Sequence, residues 1–95
     1  MAEVNMIVEH PLYIENLKKI SRVNFIPWER LLHKTVLIIG ATGMIGSCLV
    51  DLLMYCNQYK NYDIKIIAIS RNLSKAKERF KKYWNDLNFK YIQHD

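Results

Sequence analysis

Val36-Leu37-Ile38-Ile39-Gly40-Ala41-Thr42-Gly43-Met44-Ile45-Gly46 sets the architecture of this chain. Four apolar residues lead into three glycines, and these are the only glycines among the 95 residues. Ser47-Cys48-Leu49-Val50-Asp51-Leu52-Leu53 follows with helical character, so a strand, a glycine turn and a helix are laid end to end. A plain turn needs one glycine; three of them within seven residues need a further reason. A helix start carries backbone N–H groups without intrahelical acceptors and about half a positive charge, and glycine keeps Cβ atoms out of the approach to those donors. The stretch is therefore predicted to cradle the phosphates of a nucleotide.

Outward from this turn, Thr35 to Ile39 reads as a first strand, continuously apolar as in a strand covered on both faces. The helix after the turn is predicted over residues 44–56, and a polar, tyrosine-rich link over 57–63. Ile64-Lys65-Ile66-Ile67-Ala68-Ile69 is a second strand, a basic helix capped by Ser74 comes next, and residues 89–93 form a third strand. Strand, helix, strand, helix, strand predicts an α/β fold: the first βαβαβ half of a doubly wound parallel sheet, in strand order 3-2-1. Upstream, residues 11–21 read as a short amphipathic helix with Leu12, Leu17 and Ile20 on one side. Trp28-Glu29-Arg30-Leu31-Leu32 forms a further turn whose apolar members pack against the sheet edge. Residues 1–33 are thus a helical N-terminal extension, and residues 34–95 carry the sheet.

Hydrophobic residues make up 51% of the chain and charged ones 24%, which excludes a disordered segment. No apolar run reaches the roughly twenty residues that a membrane helix needs. The first residues carry Glu3 and Glu9 and have no basic start before an apolar core, so no secretory signal is read and a cytoplasmic protein is expected. Cys48 and Cys56 lie about two helical turns apart, roughly 12 Å, too far to be bridged, and both are expected as buried reduced thiols. His10, His33 and His94 are scattered without a ligand partner at metal spacing, so no metal is expected. A net charge of +5 raises nucleic-acid binding. Between Arg71 and Lys82, however, six basic residues face one acid while Leu73, Ala76, Phe80, Tyr83, Trp84 and Leu87 recur at helical spacing, which reads as a solvated helix face over one apolar stripe. No nucleic-acid motif accompanies the charge, so nucleic acid is not expected as a partner.

Gly40-Ala41-Thr42-Gly43-Met44-Ile45-Gly46, spaced Gly-x-x-Gly-x-x-Gly, resembles the fingerprint of the extended short-chain dehydrogenases/reductases. Within them, Ile26-Pro27-Trp28-Glu29-Arg30-Leu31 leading into Lys34-Thr35-Val36-Leu37-Ile38-Ile39 is similar to the NAD-dependent epimerase/dehydratase group that works on nucleotide sugars. The resemblance covers residues 27–95 and implies a Rossmann-like fold with a bound NAD or NADP. It also divides the glycines' roles: Gly40 makes the sharp turn, Gly43 admits the pyrophosphate, and Gly46 lets the helix pack close to the strand. Met44 and Ile45 would offer backbone N–H groups to phosphate, and the Thr42 hydroxyl either joins them or stabilises the loop.

At the tip of the second strand, NAD-binding relatives place an acid that takes the ribose hydroxyls. This chain has Ser70-Arg71-Asn72 there instead, and a guanidinium suits a 2′-phosphate, which tilts the choice toward NADP; otherwise Arg71 stacks on adenine or faces solvent. Asp95, just after the third strand, is where the resemblance puts an acceptor for the adenine amino group. The family's Tyr-x-x-x-Lys pair, a tyrosine acid/base with a lysine lowering its pKa, has no counterpart, since none of the six tyrosines stands four residues before a lysine. No catalytic residue is assigned. The chain therefore reads as the N-terminal, cofactor-binding fragment of a longer nucleotide-sugar epimerase, dehydratase or decarboxylase working by hydride transfer; the alternative is a non-catalytic NADP-sensing or scaffold protein of the same fold. A homo-oligomer is expected, because the first strand leaves an unpaired edge.

Overall fold

A computed structural model describes residues 11–22 and 27–94. Helix α1 spans Pro11–Ile20, a 3₁₀ turn covers Trp28–Arg30, and strand β1 covers Thr35–Ile39. Helix α2 then runs Met44–Lys60, β2 Lys65–Ser70, α3 Leu73–Arg79 and β3 Phe89–Gln93. The three strands form one parallel sheet in the order β1-β2-β3, with Val36 opposite Ile66 and Ile66 opposite Phe89. The chain is α/β, and its strand order is the expected one.

Side chains alternate across the sheet, so each strand divides its residues between two faces. Ile38, Ile66 and Ala68 are buried on the face that meets α2 and α3, where Val50, Leu53, Ala76 and Phe80 complete the core. Leu37 and Ile39, on the alternate face, are 55% and 78% exposed. Among the described residues the sheet is therefore covered on one face only, whereas the continuous apolar run in β1 predicted cover on both.

Three expectations change at the helices. The helix after the glycine turn continues four residues past 56, to Lys60, and ends at Asn61 in the left-handed region at φ 55°. Residues 57–60 are polar, but Asn57 earns its helical place by bonding both backbone groups of Ile64, each at 2.7 Å, which fixes the last turn of α2 to the start of β2. The cap of α3 is Asn72 rather than Ser74; its side-chain oxygen accepts from the Lys75 backbone N–H at 3.0 Å. The basic helix itself stops at Arg79, and residues 80–85 are turns. Phe80, Tyr83 and Trp84 still pack on the Phe89 ring, with centroids 5.4, 6.1 and 5.9 Å away, while Leu87 is fully exposed and leaves the predicted stripe.

The extension is docked rather than appended. Leu17 is the buried residue of α1, whereas Leu12 and Ile20, expected beside it, are largely exposed. Polar groups hold the helix at both ends. Lys60 donates to the Ser21 carbonyl at 2.7 Å, and the Tyr13 hydroxyl donates to the Asp51 carboxylate. Asp51 is itself 1% exposed and also receives Tyr83 at 2.7 Å and an ion pair from both terminal nitrogens of Arg79. Arg79 thus lies buried, not on the solvated face. Burial raises the pKa of both phenols, followed for Tyr13 by the hydrogen bond to Asp51 and for Tyr83 by the Asp51 charge and then its hydrogen bond. Both cysteines are free; Cys56 is buried, which pushes its thiol pKa up, but Cys48 is only half-buried.

Candidate functional site

In a parallel sheet every strand delivers its C-terminal end to the same edge, and that edge is where the glycine turn sits. The turn has an asymmetric need for glycine. Gly40 adopts φ +70°, a left-handed conformation that an L side chain rarely takes, though the space beside it is open. Gly43 is at φ −70°, available to any residue, yet a Cβ there would lie 3.3 Å from the Gly40 carbonyl oxygen. At Gly46 a Cβ would come within 2.5 Å of that oxygen and 3.0 Å of the Ala41 Cα. Only the bare backbone of Gly46 lets α2 approach the turn this closely. Two further bonds lock the loop: Ala41 donates to Ile69 on β2 and Gly43 to Gly40, both at 3.0 Å.

Between the turn and the ends of β2 and β3 lies a cavity of about 800 Å³. Gly40, Thr42 and Gly43 form one wall, and Ser70, Arg71 and Asn72 another. Six of the ten expected site residues therefore share one cleft. Met44, Ile45 and Gly46 instead line an adjoining apolar groove of about 690 Å³, between the open edge of β1 and α2, with Leu37, Leu49 and Leu53. Their side chains do not enter the cleft; Met44 and Ile45 are 85% and 78% exposed. What they offer is backbone, since the first residues of a helix have N–H groups that no preceding turn can satisfy. Asp95 lies outside the described residues.

The three residues at the β2 tip differ in how they are held. The Ser70 hydroxyl is buried and bonded to the Tyr91 hydroxyl at 2.7 Å, so it braces β2 against β3. Asn72 spends its side-chain oxygen on the cap of α3. Arg71 is exposed, and its carbonyl accepts from Gln93 at 3.1 Å, which fixes its backbone while the guanidinium reaches water. Two lining residues were not anticipated: Lys75, on the first turn of α3, and His94, whose N–H bonds the Ser70 carbonyl at 2.9 Å. Both were recoverable from sequence, because Lys75 stands four residues beyond Arg71 and His94 directly follows the third strand.

Among the described residues no group of three or more His, Cys, Asp or Glu could hold a metal ion, and no helix is long and apolar enough to cross a membrane. Comparison with protein-family models, curated proteins and solved structures finds no match to this chain.

Proposed function

We propose that this cleft binds a nicotinamide dinucleotide, NADP in preference to NAD, and that these residues are the N-terminal half of a Rossmann-like domain. The observation that carries the reading is the glycine turn at the C-terminal edge of a parallel sheet. A left-handed Gly40, a Gly43 whose missing Cβ leaves room beside the Gly40 carbonyl, and a Gly46 pressed onto the turn together present the start of a 17-residue helix to open space. A pyrophosphate fits this cradle: Gly40 and Gly43 give it backbone approach, Met44 and Ile45 give N–H donors, and the positive helix end favours its charge. The Thr42 hydroxyl lies on the same wall. Arg71 offers forked, charge-assisted bonds to a 2′-phosphate, and among the described residues no carboxylate lines the cleft to select the unphosphorylated ribose.

When bound, such a cofactor supplies hydride transfer, and the sequence resemblance points to a nucleotide-sugar epimerase, dehydratase or decarboxylase as the parent activity. Within these 95 residues there is no Tyr-x-x-x-Lys pair, so the part they take is to bind and orient the dinucleotide rather than to move a proton on the sugar. The alternative reading is a non-catalytic NADP sensor or scaffold of the same fold, and a Tyr-x-x-x-Lys pair elsewhere in a longer parent would select against it.

Gly43→Ala separates binding from folding, because its backbone conformation suits alanine while the added methyl meets the Gly40 carbonyl oxygen at 3.3 Å, so the loop that would offer its N–H groups to phosphate must shift by a small amount. Calorimetric titration should show NAD and NADP both weakened by about tenfold or more, roughly 1.4 kcal/mol, with the thermal midpoint little changed. Undiminished affinity would remove the phosphate cradle from the site.

A further inference from the structure

β1 is an outer strand of the sheet, and among the described residues no strand pairs with its free side. The directions of its backbone groups are fixed. The Lys34 carbonyl accepts from the Lys65 N–H at 2.8 Å, and successive residues of a strand turn their N–H and C=O groups to opposite sides, so Val36 and Ile38 also face β2. Thr35, Leu37 and Ile39 therefore point both groups at open space. Beside this edge runs the apolar groove of about 690 Å³, where Ile45, Leu49 and Leu53 stand at i, i+4 and i+8 as one stripe of α2. Among the described residues no charged side chain lines the groove, and Thr35–Ile39 contains neither a charge nor a proline, the usual devices that keep an edge strand from pairing.

We propose that a second copy of this chain covers the edge, by antiparallel β1–β1 pairing about a two-fold axis at Leu37, so that two three-stranded sheets become one. The free backbone groups set the register. With Leu37 opposite the second copy's Leu37, Thr35 meets Ile39 and Ile39 meets Thr35, and all three outward residues of each strand form hydrogen-bonded pairs. A slip by one residue sets free groups against bonded ones, and a slip by two leaves one outward residue of each strand without a partner in the other. An axis perpendicular to the sheet keeps both α2 helices on one face, where they lie antiparallel along the seam and turn their Ile45, Leu49 and Leu53 stripes toward each other. Leu37, Ile39, Met44 and Ile45 are each more than half exposed, and with Leu49 and the strand backbone they make a strip of several hundred Å². Apolar patches of that size mark interfaces, and the strip supplies much of the roughly 800 Å² that each side of a standard interface buries. The net charge of +5 does not oppose the contact, because the basic run from Arg71 to Lys82 belongs to the crossover from β2 to β3, on the side of the sheet away from the seam. The inference is independent of the dinucleotide reading of the cleft, and it gives the oligomer expected from the free edge a closed, two-fold geometry.

Sedimentation equilibrium of the 95-residue chain at micromolar concentration should give the mass of two chains. Leu37 then tests the register, since its side chain lies on the uncovered face and directly opposite its own copy. Leu37→Lys and Leu37→Glu each set like charges against one another across the axis and should raise the dimer dissociation constant by about tenfold or more, whereas an equimolar mixture of the two variants should recover most of the wild-type association, because opposite charges then face each other. Both variants should keep the wild-type circular dichroism, since a half-exposed position accepts a long polar side chain. Leu87→Lys adds the same charge at a fully exposed position outside the groove and should remain dimeric. A monomeric wild type overturns the proposal and leaves the edge to a further strand of a longer parent or of another protein. Open-ended aggregates in place of a closed pair, dimers that persist in both Leu37 variants, or a mixture that associates no better than either variant alone each overturn it as well.

Discussion

The first turn of α2 and its middle treat hydrogen bonding in opposite ways. At Met44 and Ile45 the helix presents donors that its own backbone cannot satisfy, beside side chains that are mostly exposed. Two turns further along, Asp51 is an acceptor with nothing left to give: Arg79, Tyr83 and Tyr13 all donate to its carboxylate in the dry space between helices. A saturated buried charge holds elements together, and an unsatisfied polar edge has capacity for a ligand. One helix therefore anchors the fold at its middle and keeps its start available, and the two tasks should be separable by mutation.

Asp51→Ala is the harshest way to break the first half of this contrast. It strands a buried guanidinium and two phenols at once, and removing one partner of a buried ion pair costs about 3–5 kcal/mol. Urea denaturation should register that loss. The double variant Asp51→Leu/Arg79→Met should recover part of it, because the guanidinium is removed together with its carboxylate while the Tyr13 and Tyr83 hydroxyls still lose their acceptor. A loss near zero in Asp51→Ala would mean that the network contributes nothing to holding α1, α2 and α3 together.

The same contrast explains what sequence could disclose. The glycine turn and the three strands were legible because their signals are local: β1 and β3 have the expected bounds, and β2 is displaced by one residue. Gly40, Thr42, Gly43, Ser70, Arg71 and Asn72 were legible as one cleft because parallel topology carries strand ends to a common edge. The Asp51 network was not legible. Its partners stand 28, 32 and 38 residues away, and helical periodicity alone assigns Arg79 to the wet face with the lysines around it. The end of α2 was misjudged for a related reason: apolar character stops at Cys56, but Asn57 is held by the backbone of Ile64, a contact no periodicity reveals. Asn72 and Ser74 are both good capping residue types, and only the observed bond to the Lys75 backbone N–H decides for Asn72.

Gly46→Ala sharpens the comparison within the glycine turn itself. The added Cβ meets backbone rather than a yielding side chain, so α2 must move off the turn. Overpacking of this kind costs about 1–3 kcal/mol, partly offset by the gain of about 1 kcal/mol from placing alanine in a helix. Thermal denaturation should therefore show Gly46→Ala less stable than wild type, whereas Gly43→Ala, three residues earlier, should lose nucleotide affinity with little loss of stability. Equal stability of the two variants would remove the division of labour between these glycines.

The smallest effect concerns the phenols around Asp51, and it appears as a pH dependence. Tyr83 is buried beside a carboxylate, and burial first, then the Asp51 charge and hydrogen bond, raise its pKa above the ordinary value of 10.0. In the unfolded chain it ionises at about 10. The folded state therefore holds the proton more tightly, and Tyr83's contribution to stability is complete below pH 10 and declines as pH rises beyond it. The decline is at most about 1.4 kcal/mol per pH unit for one such group. Tyr83→Phe removes the titration and one hydrogen bond, so it should lower stability at pH 7 by about 1 kcal/mol and flatten the loss above pH 10. Urea midpoints measured from pH 7 to 11 provide the check. If the alkaline slope of Tyr83→Phe matches that of wild type, the loss arises elsewhere and the hydroxyl of Tyr83 is not held by Asp51 in solution.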